Sequence, residues 1–178
     1  LAEAAVIYDT YPRTAQLLEF LMQRGTADSD KGCTGGNITR KLVDMVEREA
    51  LTLESSIGYN KIMPSNLLEV AKILSIYEEN TNPDTNLYKN PKFIKALKII
   101  VPYITVTVAA NISDNSGTGA FGFSSMPDLE LAGWEATKQP IFAQLLYFGA
   151  KGNLENIRGD IFTKNPESVQ EEIEEVIE

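Results

Sequence analysis

Few residues in this sequence have the type and spacing to do chemistry. Lys89, Lys92, Lys95 and Lys98 recur at every third position, and Gly117, Gly119 and Gly122 spell G-x-G-x-x-G. Six glutamates fall between Glu167 and Glu178, and Cys33 is the single thiol. The chain has no histidine. That excludes Ser-His-Asp and Cys-His nucleophilic catalysis and speaks against a zinc site. No catalytic residue, metal-ligand set or cofactor is assigned, and an enzyme acting through carboxylates or tyrosine has no constellation to support it.

Each of these features has a plain reading and a sharper one. On a helix, steps of three residues drift by about 60° per pair. The four lysines would then form one slanting exposed ridge beside a stripe of Phe93, Leu97 and Val101. The plain reading is a solvated face. The sharper one is a docking surface for an anionic protein or lipid, with a strongly salt-dependent encounter. The glycine motif needs a tight strand-to-helix turn to hold a pyrophosphate. Here Ser113 to Ser116 precede it, and Ser125, Met126 and Pro127 stand where the helix should begin, so a loop is expected. The glutamate run alternates with Val169, Ile173 and Val176/Ile177, as an amphipathic helix docked on the body would. Its carboxylates do not follow the order of a calcium loop. Asn37-Ile38-Thr39 and Asn111-Ile112-Ser113 match the N-glycosylation acceptor and permit a secretory route.

The elements that must position these residues are mostly helical. Pro12 to Arg24 is the first helix, with Leu17, Leu18 and Leu21 on one face and Gly25 as its stop. Glu3 to Asp9 before it forms a short helix or an arm. Asn37 is placed to cap a second helix of about 20 residues whose stripe runs through Ile38, Leu42, Met45, Val46, Ala50, Leu53 and Ile57, with Gly58 closing it. The third covers Pro64 to Glu79, its face made of Leu67, Val70, Ala71, Leu74 and Tyr77. Asn90-Pro91 opens the fourth, which carries Phe93, Ile94, Leu97, Val101, Ile104 and Val108 and should kink at Pro102. A switch to strand at Ile104 to Val108, which is rich in β-branched residues, is the alternative. Asn111 to Gly133 reads as a Gly/Ser/Asn/Asp-rich loop anchored by Phe121, Phe123, Met126 and Leu129. Pro140 to Phe148 reads as a short helix ended by Gly149, and Asn165-Pro166 opens the acidic terminal helix.

The expected fold is therefore mainly α: an up-down-up-down four-helix bundle over residues 1–110, then a loop-rich acidic C-terminal region over 111–178 with one or two short helices. The charge divides at the same place. Of the formal −9, residues 1–110 contribute −1 and residues 111–178 contribute −8. Nucleic acid is a disfavoured partner for so acidic a chain. No run reaches the ~18 apolar residues of a membrane span, so a membrane contact would be peripheral. A first residue other than Met points to a processed, exported or organelle-targeted protein.

An up-down-up-down bundle over about Pro12 to Ala110, a lysine-bearing face at Lys89, Lys92, Lys95 and Lys98, a missing initiator Met and a small irregular C-terminal appendage together resemble the PsbQ-type extrinsic proteins of photosystem II. The closer likeness is to the PsbQ-like subunits of diatoms and related algae. The long acidic tail departs from that pattern. The resemblance implies a non-enzymatic subunit of the thylakoid lumen. Such a subunit docks on a membrane-embedded complex and helps retain calcium and chloride at the oxygen-evolving cluster. The lysine ridge would be its docking surface. The rival expectation is a secreted helical module holding an apolar small molecule near the Pro102 kink, or a protein partner.

Overall fold

The computed structural model describes residues 1–7, 13–22, 27–28, 32–33, 37–46, 57–80, 86–99, 101, 108–109, 121–122, 127–155 and 157–177. Over these the protein is mainly helical. The helices are α1 (Ala2–Ile7), α2 (Thr14–Met22), α3 (Asn37–Met45), α4 (Ile57–Asn60), α5 (Ile62–Asn80), α6 (Pro91–Ala96), α7 (Pro127–Thr137), α8 (Pro140–Gly149) and α9 (Val169–Ile177). A 3-10 turn spans Leu87–Lys89. Two short antiparallel ladders accompany them. One pairs β1 (Ala27–Asp28) with β2 (Gly32–Cys33), and the other pairs β3 (Val108–Ala109) with β4 (Phe121–Gly122).

The longest helix, α5, follows its apolar spacing. Leu67, Leu68, Ala71 and Leu74 are buried, and Val70 and Tyr77 pack half-buried on the same core. Helix α6 starts where the cap chemistry places it. The Asn90 side chain accepts from the backbone N–H of Lys92 at 2.9 Å and of Phe93 at 3.4 Å, with Pro91 at the first helical position. Phe93, Ala96 and Leu97 then go fully into the core.

The fourth helix is shorter than its apolar period suggested. After Ala96 the chain tightens into i→i+3 bonds, from Lys98 N–H to the Lys95 carbonyl, from Ile99 to Ala96, and from Val101 to Lys98. Proline at 102 has no N–H to offer the Lys98 carbonyl, so Val101 takes it one residue early. Its ring also disfavours the α conformation at the residue before it. Val108 is in β3, opposite Gly122, so the strand alternative holds there. Pro102 and Ile104 lie outside the described residues.

The second helix also ends early, at Met45 instead of near Ile57. Ile38, Leu42 and Val46 are buried as its stripe requires. The Val46 carbonyl, which a continuing helix would give to residue 50, accepts from the Lys92 ammonium at 2.6 Å. A lysine at a helix C-terminus satisfies such an orphan carbonyl. Ala50 and Leu53 lie outside the described residues, and Gly58 falls inside α4 instead of closing a helix.

The third correction is α7. A loop was expected up to Gly133, but the chain is helical from Pro127. Pro127 opens this helix, and Asp128 and Glu130 in its first turn suit the positive end of the helix dipole. Gly133 is not loop punctuation. A Cβ there would stand 2.2 Å from Cε1 of Phe142, so its missing side chain lets α7 press against α8. Lys138 follows with φ 53°, a left-handed residue that ends α7 and turns the chain into α8.

One hydrophobic cluster spans both parts of the chain. Leu74, Leu87 and Phe93 share it with Leu129, Trp134, Phe142, Leu146, Val169 and Ile173. Helix α7 packs on α5, α8 on α7, and α9 on α8. The acidic helix α9 buries Val169 and Ile173 and seats Ile177 against the core. Its amphipathic docking thus matches the sequence pattern.

Candidate binding cleft

A cleft of 810 Å³ opens between α5, the 3-10 turn, α7, the 158–165 segment and α9. Its walls carry Lys72 and Ile76 from α5, Tyr88 and Lys89 from the turn, and Asp128, Leu131 and Glu135 from α7. Arg158, Asp160, Phe162, Thr163 and Lys164 come from the connecting segment, and Glu172 comes from α9. Helix periodicity explains the α7 contribution: 128, 131 and 135 follow three- and four-residue steps along one face.

The 158–164 segment is a constrained turn. Asp160 Oδ1 accepts from the Phe162 N–H at 2.8 Å, while the Asp160 N–H donates to Thr163 Oγ1 at 2.9 Å. The Thr163 N–H donates to the Asp160 carbonyl at 3.0 Å. This self-bonding is what aspartate and threonine do in tight turns. Gly159 is required beneath it, since a Cβ would meet the Thr163 Cγ2 at 2.4 Å. Lys72 clamps the turn to α5 by an ion pair to Asp160 Oδ2 at 2.6 Å, and its ammonium lies 5.6 Å from the Phe162 ring centre.

A second ion pair closes the far end. Lys138 pairs with Glu172, and its ammonium stands 5.0 Å from the Trp134 ring centre. Ser168 Oγ donates to the other Glu172 oxygen at 3.0 Å.

The electrostatics sort the carboxyls into two kinds. Burial alone would raise the Asp160 pKa, but the Lys72 ammonium and the Phe162 N–H outweigh it and hold the group below its ordinary range. The Lys138 hydrogen bond keeps Glu172 low against its partial burial. Glu135 goes the other way. Burial pushes it up and the Asp160 charge adds to that, while the nearby Thr163 hydroxyl, Lys138 and Lys72 only partly offset the rise. Its Oε1 is buried with no hydrogen-bond partner, as is the Trp134 indole N–H. Tyr88 is pushed well above the usual phenol range by burial first and then by the Glu135, Asp160 and Glu69 charges. It stays a protonated donor at neutral pH. Lys72 is raised because Asp160 outweighs the desolvation of its ammonium.

The lysines singled out by spacing are dispersed. Lys89 is exposed and lines the cleft. Lys92 is half-buried on the Val46 carbonyl. Lys95 is half-buried on α6. Lys98 hydrogen-bonds Gln139 and lies 5.6 Å from the Phe142 ring centre. They do not form one exposed ridge, because the α-helix that would align them covers only Pro91–Ala96. Of the glycine motif, Gly122 is in β4, while Gly117 and Gly119 lie outside the described residues. Cys33 is in β2 opposite Ala27, and Asn37 begins α3. Asn111 lies outside the described residues, as does the Pro102 kink proposed to hold an apolar ligand.

Lys72, Glu135, Arg158, Asp160 and Lys164 had no spacing signal to unite them. The one local signal that could have pointed to them is the G-D-I-F-T run at 159–163, whose glycine and turn-forming aspartate suit a tight turn. Among the described residues no three His, Cys, Asp or Glu side chains converge to hold a metal ion. None of their helices is long and apolar enough to cross a membrane. Comparison with protein-family models, with curated proteins and with solved structures finds no match for this chain.

Proposed function

We propose that this chain is a non-enzymatic extrinsic or adaptor subunit that docks electrostatically on a larger complex, using the basic rim of the cleft. The observation that carries this reading is the 158–164 turn. Ile161 stands 93% exposed at its tip, with exposed Arg158 and Lys164 three residues to either side. Burying such a side chain in a partner is worth about 1.5–3 kcal/mol. The turn is already fixed by Asp160, Thr163 and Lys72, so little conformational entropy is lost when it docks. The two cations select a partner whose apolar socket is edged by carboxylates. Lys89, at the same cleft, is the member of the spaced lysines that joins this surface.

In its sharpest form the subunit is PsbQ-like and sits on the lumenal side of photosystem II. That form requires α2, α3, α5 and α6 to run up-down-up-down. The test is rebinding of the purified protein to salt-washed photosystem II membranes. Binding should be lost near ~1 M salt, where the Debye length falls to about 3 Å. Ile161→Ser and Arg158→Glu/Lys164→Glu should each weaken it at least about tenfold, a difference of ~1.4 kcal/mol. Retention at high salt, or variants that bind like the parent, would sink the docking reading. No binding to these membranes would remove the photosystem II form.

A further inference from the structure

We propose that the 158–164 turn is an acid-tightened clasp: the one proton of the Thr163 hydroxyl serves two carboxylates, Glu135 on α7 and Asp160 in the turn, and protonation of Glu135 hands it to Asp160. The clasp is a property of the turn itself and does not depend on whether the protein docks on a larger complex.

Asp160 is the centre of the turn. Its Oδ2 takes the Lys72 ammonium at 2.6 Å, which ties the turn to α5. Its Oδ1 accepts from the Phe162 N–H at 2.8 Å and lies 3.4 Å from the Thr163 hydroxyl. That is longer than the ~2.7–2.8 Å of a full hydroxyl bond, so the turn has slack to close. The same hydroxyl bonds the Glu135 carboxyl. Glu135 Oε1 has no partner, so that bond falls on Oε2. A hydroxyl has one proton and two lone pairs. One lone pair is taken by the Asp160 N–H at 2.9 Å. The proton therefore satisfies Glu135 or Asp160, not both.

With Glu135 ionised, the proton serves Oε2, and two negative charges face each other across Thr163. With Glu135 protonated, its own O–H donates to the free lone pair of Thr163. The hydroxyl then turns to Asp160 Oδ1, and the repulsion between α7 and the turn is gone. Burial of Oε1 without a donor penalises the ionised form. Burial accordingly raises Glu135 above its ordinary value, while Lys72 and the Phe162 N–H hold Asp160 below its own against its burial. Glu135 is faced by Lys72 from α5, Asp160 from the turn and Lys138 just past α7, and it faces the Tyr88 hydroxyl on the 3-10 turn. Lys89, Asp128, Arg158, Lys164 and Glu172 line the same cleft. The contribution of protonated Glu135 is present below 4.5 and lost as pH rises through its raised value. That of ionised Asp160 is present above 3.8 and lost as pH falls through its lowered value. The clasp is tightest between the two.

The test is NMR amide hydrogen exchange, read as protection factors of Phe162 and Thr163 against pH, with Leu74 in α5 as the reference for global opening. Relative protection of the two turn amides should peak between the two carboxyl values and fall at least about threefold by pH 7, as the loss of one hydrogen bond implies. Glu135→Gln keeps a side-chain donor to Thr163 at every pH, so its fall toward pH 7 should vanish. Thr163→Val should remove the dependence on Glu135, and Thr163→Ser should restore it. In the parent, the Asp160 carboxyl carbon should show a second inflection at the Glu135 midpoint. The proposal is overturned by relative protection that stays flat from about pH 4 to 7, by a Glu135→Gln profile that still falls, or by an Asp160 carboxyl blind to Glu135. The two parent measurements decide the question where a variant fails to fold.

Discussion

Gly133→Ala is the substitution whose outcome the packing fixes most tightly. An alanine Cβ would lie 2.2, 2.3 and 2.5 Å from Cε1, Cζ and Cδ1 of Phe142. Carbon atoms in contact rest at ~3.5–4.0 Å, so the overlap exceeds about 1 Å on three atoms of one ring. Phe142 is 0% exposed, with buried Ala143, Leu145 and Leu146 on the same helix, so the ring has no free space to move into. Overpacking of this kind costs about 1–3 kcal/mol. A mid-helix glycine replaced by alanine recovers about 0.5–1 kcal/mol of propensity. With three ring atoms overlapped the cost sits at the upper end, about 3 kcal/mol, so the net is a loss of about 2–2.5 kcal/mol, which for a chain of this length lowers Tm by roughly 4–10 °C. Differential scanning calorimetry measures that shift. Trp134, the next residue and 3% exposed, reports the site directly, since its fluorescence should move to the red as α7 lifts from α8. Gly133→Ala combined with Phe142→Leu should recover part of the loss in a double-mutant cycle. A Gly133→Ala protein as stable as the parent would refute the close approach of the two helices, and with it the position of Glu135 on the cleft wall.

Two more perturbations follow from the geometry. Asn90→Ala removes the acceptor for the Lys92 and Phe93 amides and should cost about 1 kcal/mol in urea denaturation; a cost below the measurement error would mean the cap is not formed. Glu135→Gln should change how stability depends on pH. The group titrates near 4.5 in a model peptide and higher in the folded protein, so its contribution is fully present below 4.5 and is lost as pH rises through the raised value. Burial sets that value first, together with its neighbours Thr163, Asp160, Lys138 and Lys72, which are unchanged in the variant. The parent should therefore gain on Glu135→Gln as pH falls from 7 toward 4, and a difference that stays flat across that range would contradict the burial of this carboxyl.

Local chemistry is legible wherever a residue acts on its own neighbours in the chain. Asn90-Pro91 announces a helix start because the cap and the fixed proline φ need nothing from elsewhere. The α5 and α9 stripes are visible because a helix of sufficient length repeats its buried face, and Pro140 and Gly149 bracket α8 for the same reason. What the sequence could not decide depends on partners far along the chain. Gly133 looks like loop until Phe142, nine residues on, is seen pressed against it. The end of α3 is settled by Lys92, 46 residues away, and two of the spaced lysines turn inward because a backbone carbonyl and Gln139 await them. The cleft is the extreme case, since Lys72 and Asp160 are 88 residues apart. Each looks like an ordinary surface charge in the sequence. Folding alone brings them together, clamps the Ile161 turn, and sets Glu135 beside them on the Thr163 hydroxyl.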